Sequence, residues 1–300
     1  MDKKRRNVIR SLALTPVLLA TRDLLASPII ENLAPIRLQY SINAYSFNSM
    51  LRSGEMTFID MMEFAADIGL DAVDLTAYYF PSYPEIPKDS ELFRLKRKAL
   101  ELGLNISWTG IRNDFVNPDV DSRKTHSEMI RKWLTVSSSL GASIMRVFTG
   151  NHTYNGFTKN EVKEWLVDEY KTCASFGEEK GVIVALQNHN EFLFRSSEII
   201  DILKRVDSVW FGLILDIGSL HAENPYDEIE KLAPYANYWF IKEYVYPNGN
   251  KTPVDMKKIT TIIRNQGYRG YISFESLSDG DPKQITASMF NSFRTEYEKL

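Results

Sequence analysis

Gln187, His189, Asp216, Lys242, Glu243 and Glu275 are the residues whose types and spacing could do chemistry. Each closes an apolar run: 182–190 reads VIVALQNHN, 211–218 FGLILDIG, 238–243 YWFIKE and 271–276 YISFES. A continuous apolar run fits a strand buried on both faces. α/β proteins carry their reactive groups at the C-terminal ends of such strands. A charge turned toward outer helices would be expensive, so these side chains are expected to converge on one polar pocket. The chemistry they offer is acid–base work, with Glu275 a base candidate and His189 an acid/base partner because an unperturbed imidazole titrates near neutrality, and Lys242 a fixed cation. For any one of them alone a structural role reads equally well. Four successive strand ends of one design favour a site.

Side chains alternate along a barrel strand. Gln187 and His189 therefore share a side, as do Phe240 and Lys242. Further candidates follow the earlier strands. Arg146 in MRVFTG and His152 beyond it could bind substrate hydroxyls or a carboxylate, and Arg146 is equally an ion-pair partner. Asn113 and Asp114 could hydrogen-bond a ligand or form a turn. Trp239, Tyr244 and Tyr246 could stack on a ligand ring, although packing is favoured for Trp239. His126 opens a helical pattern and is expected at the surface.

These groups need elements to position them. Residues 36–47 form the first strand. From 57–68 onward, helical spacing alternates with apolar strands: helices at about 57–68, 90–102, 126–140, 159–179, 196–206, 225–232 and 255–265, and strands at 72–75, 105–110, 143–148, 182–186, 211–215, 238–241 and 271–274. Gly69, Gly103, Gly141, Gly181 and Gly267 punctuate the helix ends. Eight strands alternating with helices over about 250 residues imply a parallel (β/α)8 TIM barrel rather than a doubly wound sheet. No GxGxxG turn follows the first strand and no phosphate loop is present. Two loops, 78–88 and 246–253, follow strands and could wall the pocket or be plain surface.

The bulk numbers exclude more than they name. A net charge of −3 over 300 residues gives no footprint for nucleic acid. The one cysteine, Cys173, rules out an internal disulfide or a cysteine-based zinc site, and sits in a helical pattern as a small buried hydrophobe. Four histidines limit metal chemistry. Residues 1–30 read as an export signal. Lys3, Lys4, Arg5 and Arg6 precede a short apolar stretch at 11–20, too short to span a bilayer, and the Arg5-Arg6 pair resembles a twin-arginine signal. The expectation is a barrel domain over 31–300, exported to a periplasm or beyond, with no stable membrane anchor.

The strand ends ALQNHN, LILDIG, WFIKE and ISFES, supported by SINAYSF, ISWTGIRNDF and MRVFTG, resemble the xylose-isomerase-like TIM barrels, the sugar phosphate isomerase/epimerase superfamily. The resemblance covers nearly all of the chain after the signal. It implies one divalent metal (Mn, Mg or Zn) held by a Glu, an Asp, a His and a Glu on strands five to eight, and proton exchange through an enediolate. Asp216 and Glu275 keep the family's residue types. Gln187 stands where the fifth-strand Glu is expected and Phe240 where the seventh-strand His is. Ser219 stands where a His often follows the sixth-strand Asp, with His221 two residues on. Gln can offer an oxygen to a hard cation; Phe cannot. Two arrangements stay open. In one, Asp216, Glu275 and Gln187 hold a metal with His189, His221 or Glu243 recruited. In the other, the Lys242 ammonium replaces the metal between Asp216 and Glu275. Gln187 cannot act as a base, so a symmetric two-glutamate mechanism is not expected.

The resemblance implies an isomerase or epimerase acting on a non-phosphorylated sugar or keto-sugar derivative, with Gln187, Arg146, His152, Asn113 and Glu243 as substrate contacts. Its partner is a small carbohydrate. Barrels of this kind often associate, but no stretch identifies a homo-oligomer interface. A carbohydrate-binding barrel that has lost its metal and its activity is the alternative. A relative of the zinc DNA-repair nucleases is disfavoured, since a multi-zinc site needs more histidines.

Overall fold

The chain after its first 36 residues closes into a parallel eight-stranded barrel. The structure, a computed structural model, describes residues 37–300, so the expected export signal lies outside the described residues. The strands are Gln39–Ile42, Ala72–Thr76, Asn105–Gly110, Ile144–Val147, Ile183–Gln187, Phe211–Asp216, Ala236–Lys242 and Tyr271–Glu275, each paired in parallel with its neighbours. The eighth strand pairs back onto the first, Gln39 opposite Tyr271 and Phe274 opposite Ile42. Among the described residues no helix is long and apolar enough to cross a membrane.

Local chemistry sets the outer helices. Thr57 and Thr158 each close a capping box, with Asp60 and Glu161 three residues on. The helix Lys159–Lys180 buries Val162, Leu166, Val167, Tyr170, Cys173 and Ala174 against the sheet and stops at Gly181, whose φ of 66° is the left-handed conformation of a helix C-cap. Cys173 is thus the buried hydrophobe expected.

Two layers of core result. One lies between strands and helices; the other fills the barrel with Trp108, Ile144, Ala185, Ile214, Tyr238 and Phe240. The Tyr238 hydroxyl donates to Ser107 Oγ at 2.9 Å, and Ser107 also meets Ser41 at 3.0 Å, which gives these three buried hydroxyls partners inside the barrel.

Three boundaries differ from the sequence expectation. The first strand ends at Ile42, because the Asn43 side chain accepts from Tyr45 N and turns 44–47 into a 3-10 helix. The helix expected at 126–140 starts at Val120, with Asp119 as its cap. His126 is therefore inside the helix and half-buried rather than at the surface, and burial lowers its pKa. A last helix, Pro282–Glu298, follows the eighth strand. Its Phe290 and Phe293 pack on Tyr40 and Phe274; Phe290, Phe293 and Tyr297 recur at helical spacing, a pattern the sequence reading passed over.

Candidate active site

The polar strand ends split into two groups. Asn113 and Asn188 are both buried, and each braces the next strand. Asn113 donates to Phe148 O at 2.7 Å and accepts from Phe148 N at 2.8 Å; Asn188 donates to Asp216 O and accepts from Asp216 N, both at 2.8 Å. Each amide extends the ladder by one side chain after the backbone pairing ends. Asn113, expected to touch substrate, instead has its amide engaged by the fourth strand. Asp114 accepts from Val116 N and His152 N, as a turn residue does.

The second group lines a cavity of about 880 Å³ at the C-terminal ends of the strands. Gln187, His189, Arg146, Lys242, Glu243 and Glu275 all face it. His152 and His221 lie outside it: His152 is exposed beside a separate groove, and His221 stacks on Tyr246 with ring centroids 4.6 Å apart. Both loops singled out in the sequence wall the cavity, through Tyr78, Phe80 and Tyr83 on one side and Tyr246 and Lys251 on the other. Trp239 is fully buried against Tyr268.

Lys242 organises the floor. It ends the seventh strand opposite Glu275. Its ammonium donates to Glu275 Oε1 and lies 3.4 Å from Asp216 Oδ2. Burial alone would depress the Lys242 pKa, but the charges of Asp216 and Glu275 outweigh it and raise the value above 10.5. The group is a permanent cation. An ammonium has three donors, and with two directed at these carboxylates the third is free for a ligand. Gly218 makes room for it. A Cβ there would stand 2.7 Å from Lys242 Cγ and 3.1 Å from its Cβ, so only glycine lets the lysine stem pass.

The carboxylates are held from below. Asp216 is fully buried. Its Oδ2 accepts from Gln187 Nε2 at 2.8 Å and Ser219 Oγ at 3.0 Å, and its Oδ1 accepts from Gly218 N at 3.0 Å. Glu275 Oε2 accepts from Asn43 Nδ2. Gln187 is oriented by both neighbours, its amide nitrogen toward Asp216 and its oxygen 3.4 Å from Arg146 Nη1.

The divalent cation common to such sites does not fit this donor set. Four donors already saturate Asp216, Gln187 turns its N–H toward that carboxylate, and Phe240 packs on Trp108 inside the barrel at 5.3 Å. Among the described residues no group of three or more His, Cys, Asp or Glu side chains is placed to hold a metal ion. Of the two arrangements open in the sequence, the side chains adopt the one with Lys242 between Asp216 and Glu275.

At the mouth, His189 Nδ1 meets Glu191 Oε1 at 3.0 Å, which leaves Nε2 for the cavity. Arg112 donates to the same carboxylate. Burial would raise the Glu191 pKa, but the His189 hydrogen bond and the Arg112 charge lower it overall. Glu243 lines the cavity while its Oε2 accepts from Leu277 N and Ser278 N, tying down the loop after the eighth strand.

The sequence reading missed Asn43, Asp74, Arg52 and Arg112. Asp74 is fully buried in the second strand, accepts from Ala44 N at 2.6 Å and Thr76 Oγ1 at 2.6 Å, and burial pushes its pKa up to about 7. A lone Asp inside the apolar run AVDLT was its signal.

A family model described as a xylose isomerase-like TIM barrel matches residues 62–295. The chain belongs to that family. Solved structures agree in fold. D-psicose 3-epimerase from Clostridium cellulolyticum H10 superposes with a TM-score of 0.71 at 17% identity, over 86% of this chain and 99% of that one. The 3-keto-D-glucoside 4-epimerase of E. coli gives 0.69 at 13%, over 86% and 100%. A probable 3-DHS dehydratase of Bacillus anthracis gives 0.66 at 18%, over 85% and 98%. No curated protein matches the chain.

Proposed function

We propose that this protein is an isomerase or epimerase of a non-phosphorylated keto-sugar or its derivative, working by proton transfer at carbon beside a carbonyl, and that it acts outside the cytoplasm. The observation that carries the reading is the Lys242 ammonium seated between Asp216 and Glu275 on the floor of a sugar-sized cavity. Structural relatives named as sugar epimerases support the substrate class, and the basic start of the chain supports export.

Glu275 removes the proton from the carbon next to the carbonyl. The electron pair moves into the carbonyl, whose oxygen develops negative charge against the free N–H of Lys242. A fixed cation aimed at a developing oxyanion in a water-poor site is worth several kcal/mol in the transition state. Because its pKa is raised, Lys242 stabilises charge and keeps its own proton. His189 returns a proton to the opposite face of the same carbon, and the enolate collapses to the carbonyl to give the epimer; for the aldose, the hydroxyl on the deprotonated carbon passes its proton to the oxyanion while His189 protonates the former carbonyl carbon. Asn43 holds Glu275 and Gln187 holds Asp216; neither exchanges protons.

Deuterium incorporation tests this. In D2O, a panel of ketoses incubated with the protein should gain deuterium at the carbon beside the carbonyl, and Glu275→Gln should abolish it. Saturable binding with no incorporation for any ketose would leave a carbohydrate-binding barrel instead.

A further inference from the structure

One wall of the cavity carries charge that the proton-transfer groups do not use. Arg146 ends the fourth strand, is 3% exposed and faces the cavity. Its Nη1 and Nη2 reach only neutral oxygens, Gln187 Oε1 and the Tyr78 hydroxyl, each at 3.4 Å, and its Nε has no partner. The faces of Phe148 and Trp108 lie 4.5 and 4.8 Å from the guanidinium. Among the described residues no carboxylate approaches it within 4 Å. Asp74 feels its charge from farther off, yet burial dominates that carboxyl and holds its pKa near 7.

A buried cation without a counter-charge is costly, and ring faces and long neutral contacts offset only part of that cost. The other cations of the cavity sharpen the contrast. Lys242 has Asp216 and Glu275, and Arg112 has Glu191. Arg52 and Lys251 at the mouth make no ion pair among the described residues; Arg52 Nε donates to Asn48 Oδ1 and Lys251 lies over the Tyr244 ring. The carboxylate of Glu243 is turned onto two backbone amides. Three cations with no direct ion pair among the described residues therefore border one cavity.

From this imbalance we infer that the substrate is a sugar acid, whose carboxylate pairs with Arg146 while its carbonyl lies on Lys242. This rests on the keto-sugar reading above and names its substrate class. Aromatic rings lie against the guanidinium, and its Nη1 and Nη2 make only long contacts to neutral oxygens. A planar two-oxygen acceptor is a stronger partner for those two donors. Arg52 and Lys251 add attraction at the mouth. The two anchors are separated by the Gln187 amide and the Asp216 carboxylate, which link Arg146 to Lys242 in one hydrogen-bonded chain.

Calorimetric titration of the wild-type protein with D-fructuronate, D-fructose and D-fructose 6-phosphate decides it, because these differ only at the sixth carbon. Fructuronate should bind at least about tenfold more tightly than fructose, the ratio that one charge-assisted hydrogen bond confers. Arg146→Gln should bring that ratio close to one, while Arg146→Lys keeps part of it. Equal affinities, tighter fructose, or no binding of fructuronate overturns the carboxylate subsite. Tighter binding of the phosphate than of the uronate overturns it in favour of a phosphate. Deuterium incorporation separates the two readings. Fructuronate preference without incorporation keeps the subsite and refutes proton transfer; incorporation into fructose without the preference does the reverse.

Discussion

Replacing Lys242 by methionine keeps most of the unbranched stem and removes the ammonium, its charge and its donors. Asp216 and Glu275, 0% and 5% exposed, then face each other with no cation. Breaking a buried pair by deleting one partner costs about 3–5 kcal/mol. Here Gln187, Ser219, Gly218 N and Asn43 still donate to the carboxylates, which places the expected loss near the lower end, about 3 kcal/mol. For a domain of this size that is a fall in Tm of roughly 6–12 °C, or a lower urea midpoint at unchanged slope. The sign with pH follows from the raised Lys242 pKa. Its contribution is full below the unfolded value of 10.5 and is lost as pH rises through the folded one. The difference between wild type and variant should therefore be flat from about pH 6 to 9 and shrink only above. The smaller Lys242→Ala leaves room between the carboxylates, so Mn2+ should raise its Tm and leave that of the wild type unmoved. A Lys242→Met protein as stable as wild type, together with no Mn2+ response in Lys242→Ala, would refute this reasoning.

Gly218→Ala puts a methyl 2.7 Å from Lys242 Cγ; overpacking of this kind costs about 1–3 kcal/mol, and turnover should fall more than substrate affinity because the ammonium is displaced. Asn113→Leu leaves Phe148 N without its acceptor, while Phe148 O keeps the Tyr170 hydroxyl; it should cost about 1–3 kcal/mol in urea unfolding, with KM unchanged. His152→Ala should alter neither stability nor kinetics, since the side chain stands outside the cavity. Asp74 keeps its proton up to about pH 7 when folded and only to about 3.8 when unfolded. Wild type should therefore lose stability relative to Asp74→Asn as pH rises from about 4 through 7, by at most about 4 kcal/mol; a pH-independent difference in unfolding midpoint would contradict the burial of that carboxyl.

The barrel was legible because its later strands read as apolar runs, three of which end in charge and one in Gln187 and His189. The same pattern located Lys242, Asp216 and Glu275, and strand alternation set Gln187 with His189 and Phe240 with Lys242. Sequence could not choose between a metal and an ammonium on the floor. That choice depends on where the Lys242 nitrogen comes to rest and on which way the Gln187 amide turns, and both are set by neighbours from other strands. Asn113 read as a site residue because a polar side chain after a strand can reach either a ligand or the next strand's backbone. His152 was misplaced by its loop, which Asp114 folds away from the cavity. Asn43 and Asp74 went unread because each serves an element distant in sequence, Glu275 and the turn at Ala44.

The most direct test is carbon–hydrogen exchange in D2O by protein stripped of divalent cations and kept in chelator. If Lys242 is the cation of this site, deuterium enters the carbon beside the carbonyl at an undiminished rate, added Mn2+, Mg2+ or Zn2+ leaves that rate unchanged, and Lys242→Met abolishes the exchange. Exchange that disappears in chelator and returns with a metal, with Lys242→Met unaffected, would contradict it.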